Sequence, residues 1–329
     1  MSRVAVVFLG GTISSAFDPV AGGNVPTLDG AAILARTPGL DRIADLDPID
    51  LARTPASHFT LGRLLEIGES IRAAAEDPTV DGVVVVQGTD VMEETAFAWD
   101  LVLATPKPVV VTGAMRSSSE AGYDGPANLT DAVRAAASPA LRDQGVVVLL
   151  AGSIHAADDV TKTHASSLTT FQSPNLGPLG AVVGERVIVS RHRVGRRHVT
   201  TAEAAEPVFL VTATVGMDGA LIDAATGLGA RGIVVAATGA GNTSAGPLEA
   251  GERAMAAGIP VVLVTRTLAG RAGTGYAFKG GGATWVRAGA MLAGTLSGPK
   301  ARVALSFGVG AGLDDAGLAA LLAGPEEAG

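Results

Sequence analysis

The chain has 329 residues, 47% of them hydrophobic and 17% charged, which excludes a largely disordered polymer and provides length for two cores. A net charge of −8 counts against a nucleic-acid partner, and the absence of cysteine removes disulfides, thiolate catalysis and cysteine-ligated zinc. No run reaches the roughly 18–20 apolar residues of a membrane span.

Met1-Ser2-Arg3 leads into an apolar run with strand character, Val4–Phe8, which stops at Gly10-Gly11-Thr12. That run lacks the long apolar region and small-residue cleavage site of a secretory leader, so cytoplasmic residence is expected. A helical period follows over Leu61–Ala75, then an all-apolar strand, Gly82–Val86, closed by Gly88-Thr89-Asp90. Helix Met92–Leu103, strand Pro108–Val111, helix Ala127–Ala137 and strand Gly145–Leu150 continue the alternation. Continuous apolar strands alternating with helices specify a parallel sheet covered on both faces, hence a doubly wound α/β domain.

The basic run Arg191-His192-Arg193-Val194-Gly195-Arg196-Arg197-His198 reads as a solvated hairpin in a connection. Beyond it the alternation restarts. Strands are expected at Pro207–Thr212, Gly232–Ala236, Pro260–Thr265 and Arg302–Ser306, with helices near Asp218–Thr226, Pro247–Ala257 and Thr284–Ala293. The expected organisation is a larger N-terminal α/β domain over 1–187, a linker over 188–205 and a smaller C-terminal α/β domain over 206–329.

Ligands of open α/β sheets gather at the carboxyl ends of the strands, where Thr12, Ser57, Thr89, Asp90 and Ala114 all fall. Glycine just past a strand exposes backbone N–H groups, so Gly11 and Gly88 suit an oxyanion site beside the two threonines. A threonine hydroxyl needs a base. Lys162, one of only four lysines against 20 arginines, is an amine where a guanidinium could not serve, and burial lowers a lysine's pKa.

Each residue also has a plainer role. Thr12 suits a turn or helix cap, and Asp90 suits the N-cap of the Met92 helix with Glu93 or Glu94 reaching back. Arg116 and Asn128 read as organisers of the Gly113 turn and of the Asp-Gly-Pro entry to a helix. The histidines at 58, 155, 164, 192 and 198 show no metal-ligand spacing, so no metal is expected. Thr238-Gly239-Ala240-Gly241-Asn242 follows a strand but lacks the third glycine of a dinucleotide fingerprint, and no phosphate-loop lysine pattern occurs.

Taken together and in order, Phe8-Leu9-Gly10-Gly11-Thr12-Ile13, Gln87-Gly88-Thr89-Asp90, Thr112-Gly113-Ala114-Met115-Arg116, Asp124-Gly125-Pro126-Ala127-Asn128-Leu129 and Asp159-Val160-Thr161-Lys162-Thr163 resemble the bacterial-type L-asparaginases, the asparaginase/glutaminase family. The resemblance covers nearly the whole chain. It implies a cofactor-free amidohydrolase acting on a small-molecule amide, in which Thr12 attacks the side-chain amide of L-asparagine and Thr89 and Lys162 form a hydroxyl–amine pair. It further implies that Asp90 binds the substrate's amino group and Ser57 its carboxylate. Asn242 of a neighbouring subunit would approach that amino group in a homotetramer built from close dimers.

The chain departs from the family pattern at four places. Gln87 stands where a histidine is usual, and Ser57 lies in Ala56-Ser57-His58-Phe59 rather than Gly-Ser-Gln-Asp. The segment 14–27 has no tyrosine where secreted relatives carry one that helps activate the threonine; the chain's two tyrosines are Tyr123 and Tyr276. Arg271–Gly282 has no acid, and Lys279 there would favour a substrate acidic or blocked at nitrogen. The rival readings are a hydrolase of another ω-amide, N-substituted asparagine or lactam, a low-activity ligand-binding or regulatory homologue, and the amidase subunit of a tRNA-dependent amidotransferase.

Overall fold

The structure is a computed structural model describing residues 1–325. It divides into two compact units, Met1–Arg193 and Val194–Gly329.

The first unit begins with β1 (Ser2–Phe8), a hairpin of β2 (Ser15–Asp18) and β3 (Gly23–Pro26), α1 (Gly30–Ala35) and β4 (Ala44–Asp50). Next come α2 (Leu61–Glu76), β5 (Gly82–Val86), α3 (Met92–Val102), β6 (Val109–Thr112), α4 (Gly125–Ala136) and β7 (Val146–Leu150). Strands β8 (Ser153–Ala156), β9 (Thr161–Lys162), β10 (Phe171–Gln172), β11 (Gly180–Val183) and β12 (Arg186–Val189) close the unit.

Its main sheet has eight strands in the order β12-β11-β8-β7-β6-β5-β1-β4. The stretch from β7 to β4 is parallel, and β8, β11 and β12 extend it antiparallel. Every residue of β5, β6 and β7 is buried, as a sheet covered on both faces requires. Val84, Val86 and Val110 share one apolar cluster with Leu129, Ala132 and Val133 of α4. Helices α2 and α3 pack on each other and on β5 and β7, and Trp99 of α3 is fully buried with its indole N–H donated to Leu64 O.

The strand register levels the rim at the carboxyl ends of these strands. Phe8 pairs with Val86 and Val86 with Thr112, so the chain leaves β1, β5 and β6 side by side. Leu9 N donates to Val86 O and Gln87 N to Thr112 O, which carries the ladder one residue past each strand end.

The second unit holds a four-stranded parallel sheet of β13 (Val208–Thr212), β14 (Gly232–Ala237), β15 (Val261–Thr265) and β16 (Met291–Leu292). Its helices are α5 (Ala220–Gly227), α6 (Ala245–Ala256), α7 (Gly282–Ala288), α8 (Gly298–Gly310) and α9 (Asp315–Ala323).

Two expectations need correcting. Arg302–Ser306 is not a strand but the middle of α8, and the fourth strand is Met291–Leu292 within the stretch read as helix. Most of α8 is buried, including Val303, Ala304, Leu305, Ser306 and Phe307, so the segment lacks the polar face that gives a helix its period. The basic run is not a solvated hairpin either. The Arg193 side chain is enclosed, with ion pairs of 2.9 Å to both Asp100 and Asp158, and Arg197 is buried with donors to Leu322 O and Ala323 O. A charge run looks solvated in sequence because its partners, Asp100 and Asp158, are far away along the chain.

Candidate active site

Two glycines make the rim possible. Gly11 has φ of 96°, and a β-carbon on it would lie 2.2 Å from Gly88 N and 2.3 Å from Gly88 Cα, so these backbones meet with no room for a side chain. Gly88 in turn faces Ala56, whose β-carbon would be 3.2 Å from one built on Gly88. A β-carbon on Gly113 would lie 2.4 Å from Gln87 O and 3.4 Å from Thr89 Cγ2, which brings the Ala114 turn against Thr89. The ends of β1, β5 and β6 and the turn after β4 thus converge.

Thr12 opens a 3-10 turn, Thr12–Ser14, and is half-buried. Gly11 O accepts from Ser14 N at 3.0 Å, Ser14 Oγ at 2.7 Å and Ser15 Oγ at 2.9 Å. The Thr12 hydroxyl itself has no hydrogen-bond partner among the described residues. Its role is therefore not that of a side-chain cap.

Thr89 is buried at 4% exposure, and its Oγ1 accepts from Lys162 Nζ at 3.0 Å. The same nitrogen donates to Asp90 Oδ1 at 2.9 Å. The Lys162 side chain is 14% exposed and that of Asp90 75%, so the lysine is enclosed while the carboxylate faces outward. Asp90 does not cap α3: the capping position is Val91, without a side-chain cap bond.

Glu93 does not reach back to close a capping box. Its carboxylate accepts from Lys162 N at 2.7 Å and from Thr161 Oγ1, tying β9 to the first turn of α3. Lys162 also pairs with Phe171 across the short β9–β10 ribbon. Asp159, just upstream, accepts from Asn175 N and Nδ2 and from Leu176 N, holding the return of that ribbon.

Ala114 is fully buried, and the turn around it is held by polar side chains. Asp124 accepts from Met115 N and Arg116 N, and Asn128 donates to Gly113 O at 3.0 Å and accepts from Ala151 N at 3.0 Å. Arg116 donates to Ala121 O and Gly122 O. Ser57 is exposed in the 3-10 turn Ala56–His58, beside the Ala56 that faces Gly88. Gln87 is fully buried and donates to Thr95 Oγ1.

Thr12, Thr89, Asp90, Lys162, Gly11, Gly88, Ala114 and Ser57 all belong to the first unit, and Asn242 to the second. Asn242 closes a tight bridge with Thr238, whose N–H and hydroxyl both donate to Asn242 O. Lys279 is paired with Glu249, which discounts it as a lone cation opposing an α-ammonium. Tyr276 is half exposed, with its ring 5.9 Å from that of Phe278. Among the described residues no group of His, Cys, Asp or Glu is arranged to hold a metal, and no helix is long and apolar enough to cross a membrane.

Glu93 and Tyr123 are the residues of this region whose roles the sequence concealed. Glu93 looked like a helix-terminal acid, and its true partners lie 68 and 69 residues away.

The fold, with an enclosed lysine on a threonine hydroxyl beside two touching glycine backbones, places the chain among α/β proteins that gather their site at the carboxyl ends of a doubly wound sheet. Residues 3–195 match the family model for the asparaginase N-terminal domain, and residues 207–322 that for the glutaminase/asparaginase C-terminal domain. A probable L-asparaginase of Deinococcus radiodurans is 35% identical over 93% of this chain and 92% of its own length. An L-asparaginase of Bacillus licheniformis is 31% identical over 92% of this chain and 94% of its own. A crystal structure described as a probable cytoplasmic L-asparaginase from Campylobacter jejuni superposes with a TM-score of 0.89 at 27% identity, covering 98% of this chain and 99% of that one. The chain belongs to the bacterial-type asparaginase family and is an amidohydrolase of linear carboxamides.

Proposed function

We propose that the chain hydrolyses the side-chain amide of L-asparagine to L-aspartate and ammonia through an ester on Thr12. The observation that carries this reading is the placement of Lys162 Nζ on both Thr89 Oγ1 and Asp90 Oδ1, at a rim where Gly11 and Gly88 touch. Thr12 Oγ1 attacks the amide carbon, its proton passing to the leaving nitrogen, and the C–N bond breaks to release ammonia. Backbone donors near Gly11 and Thr89 hold the oxyanion, with Ala114 lining the same rim. Water, deprotonated by the Thr89–Lys162 pair, then cleaves the ester and returns the proton to Thr12.

Asp90, 75% exposed on its side chain, is the acceptor for the substrate's α-ammonium, and Ser57 is the donor for its α-carboxylate. Asn242 of a neighbouring subunit completes the ammonium site in a homotetramer of close dimers. No cofactor enters these steps. Cytoplasmic residence is part of the reading, supported by the likeness to the Campylobacter jejuni protein so described. A domain organisation of 1–187, 188–205 and 206–329 goes with it.

Ammonia release from L-Asn, D-Asn, L-Gln, N-acyl-Asn and simple ω-amides tests the proposal, with Thr12→Ala as control. Preferred turnover of L-Asn, abolished in the variant, is the expected result. Turnover confined to another amide moves the substrate, and full activity in Thr12→Ala removes the acyl-enzyme.

A further inference from the structure

The backbone that carries Thr12 is held from outside its own loop. Gly11 O is taken by local donors, Thr12 O accepts from Ser15 N, and Ser14 O accepts from Thr27 N and Leu28 N at 2.9 Å each. The two remaining carbonyls of the turn are claimed by a distant segment. Tyr123 Oη donates to Ile13 O at 2.7 Å, and Ser118 donates to Ser15 O through both N, at 3.0 Å, and Oγ, at 2.8 Å. Phe17 N donates to Ser119 Oγ at 2.7 Å, extending the seam into β2. Past this point the hairpin is open, with Phe17 56% and Val20 97% exposed.

The donor segment is itself anchored. Glu120 accepts from Ser117 N at 2.6 Å, and Asp124 accepts from Met115 N and Arg116 N. The Tyr123 ring lies against Gly125, where a β-carbon would fall 2.4 Å from the phenol oxygen, so the glycine that opens α4 also makes room for the ring. The segment therefore fixes the Ala114 side of the rim and the Thr12 turn together.

We infer that Tyr123, assisted by Ser118, is the positioning residue of the nucleophile: its hydroxyl fixes the Ile13–Ser14 peptide group, one residue beyond Thr12, and so helps set where Thr12 Oγ1 points. This rests on the reading of Thr12 as nucleophile. Burial pushes the Tyr123 phenol up to about 12, so it stays a donor at neutral pH and is not the base for Thr12. A misplacement of about 1 Å in an attacking group lowers a rate by up to about a hundredfold, which is the scale a single fixed peptide plane controls. Segment 14–27 contains no tyrosine, so the phenol that steadies the turn comes from the β6–α4 connection instead.

Tyr123→Phe keeps the ring and removes only the donor, and Ser118→Ala removes one of that residue's two bonds. For Tyr123→Phe the expected result is a kcat lowered about tenfold, with KM within about twofold and an unchanged melting temperature, because substrate contacts are untouched. Ser118→Ala should shift kcat in the same direction by less. A Tyr123→Phe kcat within about twofold of wild type, or a fall matched by a lower melting temperature and a raised KM, overturns the inference, the latter by marking a merely structural contact. Thr12→Ala, run beside them, separates the two claims. An inactive Thr12→Ala with a fully active Tyr123→Phe removes the positioning role alone, whereas an active Thr12→Ala removes the nucleophile and the positioning role with it.

Discussion

Lys162 Nζ lies 3.0 Å from Thr89 Oγ1 although 73 residues separate them, and the same nitrogen lies 2.9 Å from Asp90 Oδ1. Strand β9 delivers the amine to a hydroxyl and a carboxylate standing next to each other after β5. Lys162→Met keeps the length of the side chain and removes the amine. General-base contributions run to about a hundredfold to ten-thousandfold, so kcat for amide hydrolysis should fall by about that factor. Lys162→Arg should not restore it, because a guanidinium stays charged. Steady-state ammonia release decides, and an active Lys162→Met would place the base elsewhere.

Glu93 acts on the same lysine through its backbone. The carboxylate accepts from Lys162 N at 2.7 Å, and β9 is only two residues long, so this bond is a large share of what fixes the strand. Glu93→Ala should lower kcat about tenfold, whereas Glu93→Gln, which retains an acceptor oxygen, should recover most of it. Equal losses in the two variants would show that the charge of Glu93 matters and not its acceptor.

Much of this was legible in the chain. All-apolar β5 and β7 cannot be half-exposed strands, and their alternation with helices leaves a parallel sheet as the ready solution. The rim was legible because Gly10-Gly11-Thr12 and Gly88-Thr89-Asp90 each follow such a strand. What stayed hidden shares one cause: the partner is distant and the local pattern is ambiguous. Segment Arg302–Ser306 is apolar enough for a strand because α8 is buried nearly all round. Arg193 looked solvated because nothing near it in sequence announces Asp100, and Tyr123 looked incidental beside the Asp-Gly-Pro turn because Ile13 lies 110 residues away.

Gly11→Ala should be among the most damaging small changes in the chain. Its φ of 96° disfavours any side chain, and the new β-carbon would sit 2.2 Å from Gly88 N, a backbone atom that cannot swing aside. We expect destabilisation of about 2–4 kcal/mol together with loss of turnover. Gly22→Ala is the matched control, since φ there is 68° but nothing lies within 4 Å, and it should cost only about 1 kcal/mol with normal kinetics. Urea unfolding of the two variants separates backbone strain from the close approach that only Gly11 makes.

Arg193 and Asp100 form a pair whose side chains are 4% and 2% exposed, and Arg193 also meets Asp158 at 2.9 Å. Removing one member of a buried pair is far costlier than the pair is worth, because a desolvated charge loses its counter-ion. Arg193→Met should cost about 3–5 kcal/mol. Asp100 also accepts from Val146 N at 2.9 Å, so Arg193→Met with Asp100→Asn should recover part of the loss while keeping an acceptor for β7. Chemical denaturation midpoints check this, and a wild-type midpoint for Arg193→Met would mean that the pair is neutral to stability.

His155 sets an acid limit on the fold. It is 2% exposed, its Nδ1 lies 2.9 Å from Ser173 Oγ, and burial pulls the imidazole down to about 4 against an opposing pull from Asp159. The unfolded imidazole takes its proton as pH falls through about 6.5, while the folded one stays neutral until about 4. Between these values the unfolded state binds the extra proton, so stability falls as pH falls; below about 4 both states are protonated and this contribution ends. The full loss is on the order of 3 kcal/mol. His155→Gln removes the titration and keeps an acceptor for the Ser173 hydroxyl. The difference in melting temperature between wild type and variant should therefore change steadily from pH 7 to pH 4.5 in favour of the variant, and a pH-independent difference would show that His155 takes its proton at the same pH folded as unfolded.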